Sequence, residues 1–510
     1  GSMFSTLDNY INSNKNAVIL CNDQKILDLI TYKNVINISD IITKSLKRHI
    51  SNENICLALY MNHNLYIPSI ILSLQKLNHA LVFVTSKSLE KTVEDLKVNW
   101  ILSLKDIKDI KQFREIDRFE LRERDSLTLW QRSLPLSANF NYSNIFCVVQ
   151  TSGTTGENKI IRVPHTCIQP NASALRKLFK INHDDIIYWG TPLTFDPSLI
   201  ELLLALQTGA TLLIVPYEVS INPSALYKSI FCIKNVTVLQ MVPSIFLRWN
   251  ETQIRDILKN SALRILAFGG ENFPKKLLGY EKRDSLRLFN LYGISEVSCW
   301  ASACEIDNAT GNDDVPIGQS LEETVVEMRD EDGNKIEYGE GEIVIGSTSR
   351  ICYLDKENPE DHHQPVFRET GDLANATDKG IFLIGRKNKV IKRFGHRINL
   401  AKIESLLFKD TSLESRCIWS REHNKIMLFI LIKDLDLTIK EKIIDKLRVK
   451  LIGILTEENL PDFIEIVQNF SLTSHGKVNE KALERLYLMP KTKSSYVDTF
   501  LLSLEQILGP

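Results

Sequence analysis

A run of apolar residues, Ile145 to Val149, breaks off into Gln150-Thr151-Ser152-Gly153-Thr154-Thr155-Gly156-Glu157-Asn158-Lys159. The run reads as a buried strand, and the hydroxyls and glycines after it make the backbone turn with its N–H groups exposed. Such a loop suits a polyphosphate: the glycines allow close backbone approach, the hydroxyls donate hydrogen bonds and Lys159 adds a cation. It is not a Walker loop, which needs Gly-Lys-Ser/Thr where this chain has Gly156-Glu157-Asn158. An ordinary Ser/Thr/Gly turn would look the same in isolation, so the rest of the chain must decide.

Composition narrows the field. With 510 residues, 25% charged and 44% hydrophobic, and a net charge of −1, the chain has material for about three domains and no basic field for nucleic acid. Nine cysteines stand singly without C-x-x-C or metal-ligand spacing, and read as reduced thiols of a cytoplasmic protein, most of them small core residues. No apolar run reaches the ~18 residues of a membrane span, and no signal peptide is visible, so no membrane is expected. Gly1-Ser2 ahead of Met3 reads as a cloning remnant. Cys56–Tyr60, Tyr66–Leu77 and Ala80–Val84 read as strand, helix and strand, implying a parallel pair with a right-handed crossover. Residues 103–125, rich in Lys, Arg, Asp and Glu, read as a solvated connection.

The loop resembles the Thr-Ser-Gly-Thr-Thr-Gly-x-x-Lys signature of the adenylate-forming superfamily, which includes acyl-CoA synthetases, luciferases and the adenylation domains of peptide synthetases. The resemblance extends over roughly Cys56 to Leu483. It implies an α/β fold, with a large multi-sheet N-terminal domain (3–387) and a small mobile α+β C-terminal lid domain (388–488). It also implies that Thr151, Ser152, Gly153, Thr154, Thr155, Gly156 and Lys159 hold ATP phosphates, with Thr155 counted among the catalytic residues. Leu263 to Gly269 reads as a strand before Gly270-Glu271-Asn272, similar to the family's Gly-Gly-Glu element bordering adenine. Leu291-Tyr292-Gly293-Ile294-Ser295-Glu296 matches Tyr-Gly-x-Thr/Ser-Glu. There Tyr292 is expected to stack on adenine and Glu296 to hold the Mg²⁺ that bridges phosphate oxygens.

Thr194-Phe195-Asp196-Pro197-Ser198 opens a helical apolar pattern through Leu206, and Asp196 at its start reads as an N-cap. The resemblance offers another reading. In peptide-synthetase adenylation domains the Asp of Phe-Asp-x-Ser pairs with the substrate ammonium, whereas acyl-CoA synthetases typically lack it. A buried carboxylate needs a cationic partner, and an ammonium supplies one. Carried over position by position, the substrate wall is Asp196, Pro197, Ile200, Gln240, Leu266, Phe268, Leu291, Cys299 and Trp300. The bulk of Phe268 and Trp300 implies a small amino acid. β-Alanine is favoured by likeness to the superfamily's β-alanine-activating group.

Phe367-Arg368-Glu369-Thr370-Gly371-Asp372 resembles the family's Tyr-Arg-Thr-Gly-Asp with one extra residue; Asp372 is expected to accept the ribose hydroxyls. Arg386 and Lys392 are expected near ribose and phosphate, and Asn388 stands where relatives keep the hinge Asp or Lys. Thr473-Ser474-His475-Gly476-Lys477 resembles Thr-x-Asn-Gly-Lys, which makes Lys477 the catalytic lysine at the α-phosphate. Residues 489–510 read as a linker and the first helix of a carrier domain bearing phosphopantetheine, or as an amphipathic helix docking on its own protein. The expected activity is formation of an aminoacyl-adenylate and transfer to the carrier thiol. The alternatives are an acyl-CoA synthetase using free CoA and a catalytically silent nucleotide-binding scaffold.

Overall fold

A computed structural model of the chain describes residues 3–104, 110–152, 158–307, 314–362, 364–393, 396–420 and 422–488, the side chains of Ser152, Asn158, Lys392, Arg393, His396, Arg397 and Glu458 excepted. The chain divides into two compact units, 1–326 with 345–368 and 327–344 with 369–510.

Two large sheets build the first unit. One runs, edge to edge, through Gln319–Ser320, Ser302–Ile306, Arg287–Tyr292, Ile265–Phe268, Val238–Met241, Ile186–Tyr188, Thr211–Ile214, Asn16–Cys21 and Ile26–Thr31. Its interior pairs are parallel and its outer pairs antiparallel. The other places Ile145–Ser152 between Asn158–Pro164 and Ala80–Val84, with Cys56–Tyr60 beyond. Cys56–Tyr60 and Ala80–Val84 pair in parallel, as their sequence implies for strands joined by the helix Ile67–Lys76. Between the sheets lies one apolar core to which both contribute, together with the helices Tyr32–His49, Ile67–Lys76, His165–Phe179 and Pro197–Leu206.

The helix Pro197–Leu206 is buried at all ten positions. That is why it carries no amphipathic stripe: a helix covered on every side is apolar all round. Its only charged residue is Glu201.

Part of the segment expected to be a solvated connection is instead a strand. Phe113–Arg122 pairs antiparallel with Asp125–Arg132 at the edge of the second sheet. Phe113, Phe119 and Leu121 are buried while the charged residues between them stay largely in water. Charges on the open face of an edge strand deter further pairing, and they disguised the strand as linker.

The second unit begins earlier than the expected boundary at Asn388. Residues 327–344 and 369–386 supply it with strands of a five-stranded sheet. On the last of these, Gly380–Arg386, a Cβ built at Gly385 would lie 2.4 Å from that of Ala401 in the helix Leu400–Thr411, so sheet and helix pack as one body. The remainder is the expected small α+β fold. Strands Ser415–Ser420, Lys425–Leu431 and Phe463–Val467 form a sheet, and the helices Leu400–Thr411 and Lys440–Ile454 share its core through Ile403, Leu407, Leu428, Ile443 and Leu447. No helix among the described residues is long and apolar enough to cross a membrane.

Truncating Leu203, fully buried at the middle of Pro197–Leu206, tests the interlayer packing. Leu203→Ala is expected to cost about 2–5 kcal/mol. Urea denaturation should show a lowered midpoint with little change in slope.

Candidate active site

The two strands that flank the hydroxyl- and glycine-rich stretch pair with each other. Ile145–Ser152 pairs antiparallel with Asn158–Pro164, and the register sets Thr151 opposite Lys159 at its base. The expected contacts Gly153, Thr154, Thr155 and Gly156 lie outside the described residues, as do the side chains of Ser152 and Lys392. Arg162 anchors the returning strand: it is 1% exposed and donates from Nη1 to Asn141 O at 2.8 Å and from Nη2 to Asp355 O at 3.2 Å.

Asp196 occupies the N-cap position of Pro197–Leu206, yet its side chain makes no capping bond. The carboxylate, 3% exposed, accepts instead from Ser298 Oγ at 2.9 Å and Ser295 Oγ at 3.3 Å. No Lys, Arg or His among the described residues forms an ion pair with it. Burial pushes its pKa up to about 6, against the pull of the two hydroxyls, and the neighbouring Glu296 adds to the rise. This is a buried anion without a cation, the state that a cationic ligand would relieve.

Reasoning from sequence missed Glu201, one turn further along the same helix. Its Oε1 accepts from the backbone N–H groups of Gly190 (3.1 Å) and Thr191 (3.2 Å), and its Oε2 from Thr191 Oγ1 and Gln240 Nε2 (2.6 Å). Burial nevertheless pushes its pKa up to about 7. Gln240 also donates to Pro197 O at 3.0 Å and accepts from Trp300 Nε1 at 2.9 Å. A lone glutamate inside an apolar decapeptide was the available signal, since burial there demands donors.

The wall residues fall into two groups. Gln240 and Ala267 are register partners on neighbouring strands. Ala267 shares the interlayer core with Ile200, Leu291, Cys299 and Trp300. Leu266 and Phe268, expected at the wall, point to the opposite face of the sheet, where Phe268 meets Phe246 and Phe273 with ring centroids 5.0 and 5.8 Å away. Strand side chains alternate, so an assignment one residue out of step exchanges the faces. Ala267 therefore stands beside Gln240 in place of Leu266 or Phe268, and of the two bulky residues Trp300 alone lies on that side.

The segment carrying Ser298, Cys299 and Trp300 is held by two side chains outside the expected set. Asn171 Oδ1 accepts from Cys299 N (3.1 Å) and Trp300 N (3.0 Å), and its Nδ2 donates to Trp300 O (2.8 Å). Arg350, 1% exposed, donates to the carbonyls of Cys167 (3.2 Å), Val297 (2.8 Å), Ser298 (3.1 Å) and Trp300 (2.9 Å). Gly293 permits the fold-back: a Cβ there would stand 2.0 Å from Cys299 O. Tyr292 is buried beside it, and Ser295 and Glu296 follow on a short 3₁₀ turn, Ser295–Val297. The Glu296 carboxylate, half-buried, is a hard oxygen donor of the kind a divalent cation takes. Glu271 accepts from Ser244 N at 3.2 Å, which fixes the turn after Gly269-Gly270; Asn272 beyond it is exposed.

Within the second unit, Asp372 and Arg386 are cross-strand partners, with Arg386 Nη1 donating to Asp372 Oδ1 at 2.9 Å and to Thr370 O at 2.7 Å. Asn388 lies in the 3₁₀ turn Lys387–Lys389, whose flanking lysines pair with Glu342 (3.2 Å) and Glu480. Lys477 is exposed on a loop closed by Thr473 N to Lys477 O (2.6 Å) and Gly476 N to Thr473 O (3.0 Å). Burial and the Lys477 charge together lower the pKa of neighbouring His475 to about 4, which leaves the imidazole neutral beside the ammonium.

The profile of the AMP-binding enzyme family matches residues 18–350. The chain is 38% identical over 354 residues to a β-alanine-activating enzyme of Homo sapiens, covering 67% of this chain and 31% of that protein. It is 35% identical over 388 residues to the Mus musculus protein of the same name, covering 73% and 34%. It thus spans about a third of the length of the curated relatives it matches. Its fold matches a four-domain nonribosomal peptide synthetase bound to AMP and glycine, with a TM-score of 0.74 at 19% identity over 98% of this chain and 37% of that one.

The burial of Asp196 has a consequence for stability. Because its pKa rises on folding, from 3.8 to about 6, the folded state binds that proton more tightly than the unfolded chain. The site is therefore without penalty below pH ~4, and the penalty grows as pH rises through about 6, to roughly 3 kcal/mol at neutrality. Asp196→Asn is expected to raise the melting temperature at pH 7.5 and to leave it nearly unchanged at pH 4, as read by calorimetry at both pH values.

Proposed function

Because the chain belongs to the AMP-binding enzyme family, whose members are adenylate-forming ligases, we propose that it activates a small amino acid, β-alanine by preference, to the aminoacyl-adenylate. The activated group then passes to the phosphopantetheine thiol of a carrier domain. The observation that carries the reading is the Asp196 carboxylate, buried, served by two hydroxyls and lacking a cation among the described residues. A substrate ammonium restores the balance of charge; a fatty acid would leave the anion stranded. The name and 38% identity of the human relative support β-alanine as the preferred case.

In the proposed reaction a carboxylate oxygen of the amino acid attacks the α-phosphorus of ATP in line. The bond to the bridging oxygen of the β-phosphate breaks, and pyrophosphate leaves. No covalent enzyme intermediate is needed, so catalysis is positioning and charge stabilisation. Asp196 orients the ammonium end. The hairpin loop at residues 151–159 donates to the phosphates, Tyr292 stacks on adenine, and the Asp372–Arg386 pair takes the ribose. Glu296 would hold Mg²⁺, which when bound neutralises phosphate charge. Lys477 meets the charge that develops between carboxylate and α-phosphate. The unit that carries Asp196 acts as the substrate-binding body and the unit that carries Lys477 as the lid. Residues 489–510 lead to a C-terminal carrier domain in a cytoplasmic protein.

A pyrophosphate-exchange screen over amino acids and carboxylic acids tests the assignment. Best turnover is expected with β-alanine or another amino acid of at most three carbons. Best turnover with a large side chain or a fatty acid would overturn it.

Lys477→Ala separates the half-reactions. It is expected to slow adenylate formation by about 100-fold or more, on the scale of losing a charge-stabilising donor. Thiol acylation from supplied aminoacyl-adenylate should stay near the wild-type rate; equal loss of both steps removes the assigned role.

A further inference from the structure

The buried polar chain beneath Asp196 holds an element that the proposed reaction does not use. Two of its links have only one workable orientation. The Glu201 carboxylate receives four donors on its two oxygens. The Gln240 amide nitrogen faces Pro197 O at 3.0 Å, which can only accept, and the Glu201 carboxylate at 2.6 Å, which accepts when ionised. Chemistry therefore sets which end of the Gln240 amide is which, and its oxygen must face Trp300 Nε1. The indole so held crosses Gly269, where a Cβ would stand 2.2 Å from its Cη2. Glu201, Gln240 and Trp300 are buried, so none of the three exchanges its partner for water without cost.

We infer that Glu201 is a specificity-determining positioning residue: acting through Gln240, it holds the Trp300 indole across Gly269 and thereby sets how large a substrate the Asp196 site admits. The inference rests on the small-substrate reading above and adds the device that enforces it. Glu201 is not a catalytic residue in this account, since its contacts are to Gly190, Thr191 and Gln240. A carboxylate is required because an amide offers one accepting oxygen in place of two. In Glu201→Gln that oxygen stays with the fixed N–H groups of Gly190 and Thr191, and the new NH₂ meets Gln240 Nε2, donor against donor. Gln240 relieves the clash by turning over, which sets its own NH₂ against Trp300 Nε1. The indole then loses its acceptor and its fixed place.

The test is a double-mutant cycle read in the ratio of kcat/KM for β-alanine over 3-aminobutanoate, which differs by one methyl, by pyrophosphate exchange at pH 8. Glu201→Gln is expected to lower this ratio at least tenfold. Trp300→Phe, which has no N–H to hold, should lower it similarly, and the double variant should fall no further than the lower single. A fall in turnover on both substrates with the ratio within twofold of wild type would mark Glu201 as merely structural and overturn the inference, as would additive effects of the two changes. Should Glu201→Gln fail to fold, Gln240→Leu breaks the same relay one link on. The same tenfold shift is then expected, and an unchanged ratio is decisive against. Wild-type protein that exchanges with no amino acid refutes the amino-acid reading instead. The ratio is then taken between its best carboxylic acid and the homologue one carbon larger, and the same two outcomes decide the relay.

Discussion

Two carboxylates sit where water does not reach, at the start of a helix that is otherwise apolar on every side. The arrangement of the interlayer space follows from how each is accommodated. Glu201 is answered in full by the protein: four donors converge on it, from the end of a strand and from the neighbouring strand that carries Gln240. Asp196 is answered in part, by two hydroxyls. The contrast separates an anion that the protein answers in full from one that it answers in part, and burial raises both pKa values for the same reason. Natural proteins accept such local instability at sites that bind or react.

Much of this was legible in the residues. Continuous apolar runs located the parallel strands, because strands covered on both faces have no polar side to display. The abrupt change at Gln150-Thr151 located the hairpin loop, and Tyr292-Gly293 located the turn against which Cys299 packs. What escaped had a physical cause in each case. The charged strand Phe113–Arg122 wears the composition of a linker because one of its faces is open at a sheet edge. Ala267 and Phe268 are adjacent in the chain and on opposite faces of the sheet, so a single step of misalignment substituted a large residue for a small one. Arg350 and Asn171 lie about 180 residues apart in sequence and meet only because both serve the backbone of Val297–Trp300, a role that leaves no motif.

The second unit teaches a related lesson. Asp372 and Arg386 were identified from separate motifs, and the strand register makes them neighbours. Lys477 sits on a tight loop whose backbone bonds are local, so its position relative to its own helix and sheet is encoded within a few residues. The division of the chain was harder to see. It follows how strands pair and pack, and residues 327–344 join the second unit from far upstream in the chain.

The hold on Val297–Trp300 separates two tasks that active-site segments usually combine. Arg350 and Asn171 grip main-chain atoms almost exclusively, through carbonyls and N–H groups that every amino acid possesses. The course of this segment is therefore set through groups that do not depend on its side chains. A frame of this kind separates the path of a buried segment from the identity of the side chains along it.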